Sequence, residues 1–287
     1  MKNIQQTAFV ILILAAISSV TLAADFADFR FIGFSADGKY LAFEESSGFN
    51  SHRDDDYATT YFVEVVKNAY AGKPEYFDWV EGVMKKSLRK PLYVRYKKRV
   101  EARLKKFNIE RGNMGKLVVA HLPGDHSFQK PLDVMTEFYD DKGNATEKLM
   151  PFYTGSYLAE DYDDSKIIFS LEQYSDPNYE KQFNELKLEQ TPSGQTCSLD
   201  ATYQIELPKL LLTLKSDINH RDLKPQILQK DERISPSRAC GDSYQIEQVY
   251  FYEGNIAVFL HFQRRGIEGY DRRYMAITGK IEFKGNY

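Results

Sequence analysis

The sequence predicts a mainly β fold: repeated β-hairpin units, sandwich-like or incomplete propeller-like, with an α-helical insertion; an α+β fold is the alternative. Three observations lead there. Aromatic residues make up 14% of the chain, with 20 Tyr and 19 Phe against 6 Met, and aromatic side chains favour the half-buried pleated surface of a strand. Three segments share one pattern of strand, tight turn, strand, polar loop and strand, with the turn chemistry and alternation of hairpins. Helical spacing of apolar residues is convincing in a single region, between the first and second segments.

The chain opens on MKNIQQTAFVILILAAISSVTLA, with a lone Lys2, an apolar core from Ala8 to Ile17 and small residues near Ala23. This reads as a secretory signal peptide over residues 1–23, cleaved near Ala23. The apolar run is shorter than the roughly 20 residues that span a membrane; an uncleaved anchor is the alternative. Residues 24–287 are then read as a single β-rich secreted domain, long enough to bury a real core.

The first unit runs from Phe31 to Val66, with Ala36-Asp37-Gly38 at its turn. The helical insertion covers about residues 74–108. Pro74 suits a first helical turn, and Val80, Val83, Met84 and Leu88 follow on one face. Pro91 should break or restart the helix, and Tyr93, Tyr96, Val100, Leu104 and Phe107 then line a second helix. Further strands are expected at Lys116–Leu122, Leu132–Tyr139 and Ala201–Lys215. The second unit spans Tyr157–Gln190 and the third Val249–Ile281, the latter turning at Glu253-Gly254-Asn255. Three irregularly spaced units are too few for a regular propeller.

A net charge of −3 hides an uneven distribution: Lys85 to Lys106 holds eleven basic residues and one acidic one, Glu101. Nucleic acid would suit such a run in the cytoplasm, but export argues against it. Peripheral contact of the basic helix with an anionic membrane, or an acidic protein partner, fits an exported chain; a solvated face is the plain alternative. Cys197 and Cys240 are the only cysteines, an even count that invites a disulfide in an oxidising compartment, with two buried thiols as the rival. No metal and no cofactor is expected. Zinc sites use closely spaced ligand pairs, His121 and His126 lack a third well-spaced ligand, His261 lies in an alternating strand, and the acidic runs at Asp54 and Asp161 lack calcium-loop spacing. Nucleophile-elbow, phosphate-loop and metalloprotease motifs are absent.

The densest cluster of charge is FQRRGIEGYDRRYMAIT, Phe262 to Thr278. Its arginines Arg264, Arg265, Arg272 and Arg273 are the binding candidates, because a guanidinium fork donates paired hydrogen bonds to a carboxylate or phosphate. Equally, Glu268 and Asp271 can neutralise them inside a glycine-shaped turn. Glu44 and Glu45 sit at the matching strand end of the first unit, and if the units are neighbours they meet Arg272 or Arg273 across the sheet. As an alternative, Glu44, Glu45, Glu268 and Asp271 are the candidates for a glycosidase-like carboxylate pair, which needs one raised pKa and a separation of roughly 5 to 9 Å.

Three stretches carry a family resemblance: IGFSADGKYLAFEE near the mature start, RISPSRACGDSYQI around Cys240 and RRGIEGYDRRYMAITG near the end. Together they resemble a bacterial family of predicted secreted proteins, domain of unknown function 2259. The resemblance implies secretion and a shared fold and carries no catalytic residue. The functional expectation is a secreted or periplasmic, non-catalytic binding or interaction module of the cell envelope, for an anionic ligand or an envelope protein. The alternative is a hydrolase acting on envelope polysaccharide.

Overall fold

The structure, a computed structural model, describes residues 27–47, 55–80, 83–120, 133–139, 145–151, 166–169, 184–198, 204–216, 224–234, 238, 240–266 and 269–282. Its first sheet contains β1 (Ala27–Phe34), β2 (Tyr40–Ser47), β3 (Asp55–Glu64), β4 (Ala69–Tyr70) and β5 (Glu75–Val80). Helix α1 (Lys86–Lys106) and β6 (Lys116–Ala120) follow, and β7 (Asp133–Tyr139) pairs with β8 (Ala145–Pro151). A second sheet has the order β12-β11-β10-β9, from β9 (Lys166–Phe169), β10 (Asn184–Ser198), β11 (Gln204–Ser216) and β12 (Gln226–Lys230). The third sheet joins β13 (Gly241–Tyr252), β14 (Asn255–Gly266) and β15 (Gly269–Lys280) to β6, in the order β15-β14-β13-β6. Among the described strands, the pairings in all these sheets are antiparallel.

The third sheet lies between the other two. Strand alternation sends Val258, Leu260 and Phe262 of β14 toward Leu186, Leu188, Leu210 and Leu212 of the second sheet. The intervening Ala257 and Phe259 face Phe31, Phe34 and Phe43 of the first. Because both faces of β14 are covered, NIAVFLHF is apolar almost without interruption, as buried strands are. The outer face of the first sheet is covered by α1, whose Tyr96, Val100 and Leu104 pack with Phe62, Phe77 and Trp79. A disulfide joins Cys197 in β10 to Cys240 just before β13, with the Cα atoms 5.5 Å apart.

The first and third units appear as three-stranded meanders, β1–β2–β3 and β13–β14–β15. At the turn of the first, Gly38 has φ +67° and a Cβ there would lie 2.6 Å from Asn255 Nδ2, so two units touch where glycine is required. The Asp37 carboxylate accepts from Ser35 Oγ at 2.8 Å and from the Lys39 N–H at 3.1 Å, the side-chain bonding typical of Asp in turns. Together with the Lys39 ammonium, these bonds lower its pKa to about 2.

The insertion differs from the expectation of two helices starting at Pro74. Glu75–Val80 is a strand paired with β3, and the reason is its period: Phe77 and Trp79 are buried while Tyr76 and Asp78 are exposed, an alternation of two rather than 3.6. One helix then runs through Pro91. Pro91 lies within two turns of the helix start, where the chain before it has few backbone bonds to lose.

Candidate functional site

β15 is the edge of its sheet, and the first and second sheets converge over it. Asn68, after β3, accepts the Thr278 N–H at 2.9 Å, and its amide donates to Gln229 of β12 at 2.6 Å. Further back along the strand, Glu45 Oε2 accepts the Tyr274 N–H at 3.2 Å. Between these two contacts lies a cavity of about 360 Å³. Glu45, Tyr61 and Tyr70 line it from the first sheet, Gln229 and Arg238 from β12 and beyond, and Arg264, Arg273 and Ala276 from β14 and β15.

The strand register decides which charges meet. Arg264 lies opposite Asp271 and Phe262 opposite Arg273, so these four side chains share one face. Arg264 donates to Asp271 at 2.8 Å, and the second guanidinium, from Arg273, stands 3.6 Å from the same carboxylate. Arg273 also hydrogen-bonds the Tyr57 hydroxyl and lies 4.6 Å from that ring's centroid, a cation–π arrangement. Arg238 is 7% exposed and paired with Asp231.

Glu45 is 5% exposed. Burial pushes its carboxyl pKa up, opposed by Arg273, by the Tyr61 hydroxyl at 2.8 Å and by the Tyr274 N–H. The folded protein therefore holds this proton more tightly than the unfolded chain does. Its stabilising contribution is fully present below the ordinary carboxyl value of 4.5 and is lost as pH rises through the raised folded value. Urea unfolding from about pH 4, below the ordinary carboxyl value, up to about pH 8 should show wild type losing more stability than Glu45→Gln over that interval. Parallel losses in the two proteins would refute a raised Glu45.

The sequence candidates divide between different surroundings. Glu44 faces the helix instead of the cavity: it accepts from Arg30 and Tyr96, each at 2.6 Å, and from Thr60 at 3.1 Å. Asp271 is buried behind the arginines and does not line the cavity. Arg272 lies on the other face of β15, beside the Tyr274 hydroxyl, whose pKa burial pushes up to about 12. Glu268 and the Arg265 side chain lie outside the described residues, as do residues 1–23, where a signal peptide is expected, and His121 and His126. His261 is a buried strand-face residue, its Nδ1 2.7 Å from Glu247 Oε2.

Part of the basic run holds the helix to its sheet: Arg89 pairs with Asp56, and Arg99 and Arg103 with Glu75 at 2.7 and 3.5 Å. Val94 and Leu88 of α1 are exposed. Sequence reading missed Arg238, Tyr61 and Tyr70. For Arg238 a signal existed, since it stands two residues before Cys240, which the disulfide ties to Cys197. The tyrosines join the site only through packing between sheets.

A family model described as Predicted secreted protein (DUF2259) matches residues 42–280. No curated protein and no solved structure matches the chain.

Proposed function

Because the chain belongs to this family of predicted secreted proteins, we propose that it is a non-catalytic binding module of the cell envelope, periplasmic or beyond, that holds the anionic group of a ligand in the cavity over β15. The observation that carries this reading is the convergence of Arg238, Arg264 and Arg273 on one cavity whose other walls hold aromatic, amide and aliphatic side chains and a single acid, Glu45. Arg264 and Arg273 share the Asp271 carboxylate, and burial raises the pKa of Glu45. An incoming carboxylate or phosphate can accept paired hydrogen bonds from guanidinium groups placed this way.

Hydrolysis by a carboxylate pair is less well supported. It needs two acids facing the same ligand, and among the described candidates Glu45 alone lines the cavity, with Glu44 turned to α1 and Asp271 behind the arginines.

Calorimetric titration with inorganic phosphate, a pool of tripeptide free acids and an acidic disaccharide tests the reading. At least one should bind, more weakly as salt rises. Arg264→Gln should weaken that binding by about tenfold or more, since a hydrogen bond to a charged group contributes about 1.5–3 kcal/mol. Failure of all three probes, or unchanged affinity in the variant, would exclude anion capture here.

A further inference from the structure

The cavity also contains backbone. Along an antiparallel edge strand, every second residue turns its N–H and C=O away from the paired neighbour. Two hydrogen bonds establish the phase on β15: the N–H groups of Tyr274 and Thr278 both leave the sheet, toward Glu45 and Asn68. Ala276 lies midway, so its N–H and C=O are directed outward as well, and Ala276 lines the cavity. Glu45 occupies the edge on one side of it, and Asn68, tied to Gln229, closes the other. One residue of strand edge is thus presented between two side-chain caps, with Arg273 three positions back along the strand and Arg264 beside it.

We propose that this cavity takes the carboxy-terminal end of a short extended peptide, whose backbone pairs with Ala276 and whose terminal carboxylate reaches Arg264 and Arg273. The inference rests on the anion-binding reading and names the ligand class for it. At about 3.3 Å per residue, the edge between the two caps, from Tyr274 to Thr278, is about 13 Å, a span that about three peptide residues fill. The Asn68–Gln229 bridge stops a strand from running on past Thr278, so only a short stretch of peptide can pair with this edge. The rest of a longer chain leaves past Tyr70, which is 39% exposed at the wall. A volume of about 360 Å³ is near the lower end of small-ligand pockets, about 300 Å³. An acidic sugar satisfies the arginines but brings no N–H and C=O at strand spacing, and free phosphate leaves the Ala276 edge unused. Strand addition with capture of a terminal carboxylate accounts for both features together.

The test uses the mature chain with a pool of tripeptide free acids, the same pool amidated at the carboxy terminus, the same pool N-methylated along the backbone, and an acidic disaccharide. The free acids should bind and slow hydrogen exchange at the Ala276 amide by about tenfold or more, while amidation and N-methylation should each weaken binding by at least about tenfold, the scale of one lost hydrogen bond to a charged or buried group. Ala276→Pro removes the outward N–H, a change edge strands tolerate, and should weaken peptide binding to a similar extent. Should that variant not fold, the N-methylated pool and the wild-type exchange rates carry the test. Binding of the disaccharide or phosphate without the peptides overturns the peptide assignment and leaves anion binding standing; binding of none overturns both. Peptide binding that ignores N-methylation and leaves Ala276 exchange unchanged overturns the pairing with β15.

Discussion

Replacing Phe259 with alanine is expected to lower the free energy of unfolding by about 4 kcal/mol, within the range measured for buried Phe truncations. The ring is fully buried in the central strand β14. Its centroid lies 4.8 to 5.8 Å from those of Phe29, Phe31, Phe43 and Tyr250, at separations where aromatic pairs add to simple burial. Those rings come from three strands of two sheets, so they cannot all move inward to fill the space left behind. Urea unfolding with an unchanged dependence on denaturant measures the effect. A loss below about 1.5 kcal/mol, the scale of an Ile→Val change, would mean that the interface between the first and third sheets is not packed as described.

Removing the Cys197–Cys240 disulfide should have an effect of similar size. It closes a separation of 43 residues, for which restriction of the unfolded chain contributes about 4 kcal/mol in the entropic model. A Cys197→Ser and Cys240→Ser double variant, or wild type under reductant, should therefore unfold at markedly lower urea. The loss is also expected to reach the cavity, because Arg238 stands beside Cys240 in the chain and lines that cavity. The double variant, if folded, should bind anionic probes more weakly than wild type. Equal stability of the oxidised and reduced proteins would refute the structural role of the bridge.

Much of the β architecture was legible because its signals are local. FSADGKYLAF declares its hairpin through a turn residue pair set between alternating apolar positions, and VYFYEGNIAVF does the same at the third unit. The cysteine pairing followed from number and compartment. EYFDWV was misread as helix because Val80, Val83, Met84 and Leu88 mimic a helical face, while the true period of two over Phe77 and Trp79 gains its meaning only when β3 is alongside to pair with it. Pro91 likewise invited a break that its place near the helix start makes unnecessary.

The candidate site was legible only in part. The charged run from Arg264 to Arg273 contributes two arginines to the cavity, and its ion pairing between Arg264 and Asp271 follows from a hairpin whose register brings them opposite. Sequence could not separate Arg273, at the cavity, from Arg272, beside Tyr274, because the phase of an alternating strand is visible but the identity of each face is not. Nor could it part Glu44 from Glu45, adjacent residues that serve α1 and β15 respectively.

By itself, then, the sequence determined the β class, the hairpin units and the one possible cysteine pair, all of which depend on periodicity, turn chemistry or count. Tertiary structure alone decided that the edge of β15 lies beneath both neighbouring sheets, that Asn68 and Glu45 take its amides on either side of Ala276, and that Arg238 joins Arg264 and Arg273 there. The physical reason is distance along the chain: these groups are brought together by the packing of separate sheets, and no local pattern encodes which sheet edges will meet.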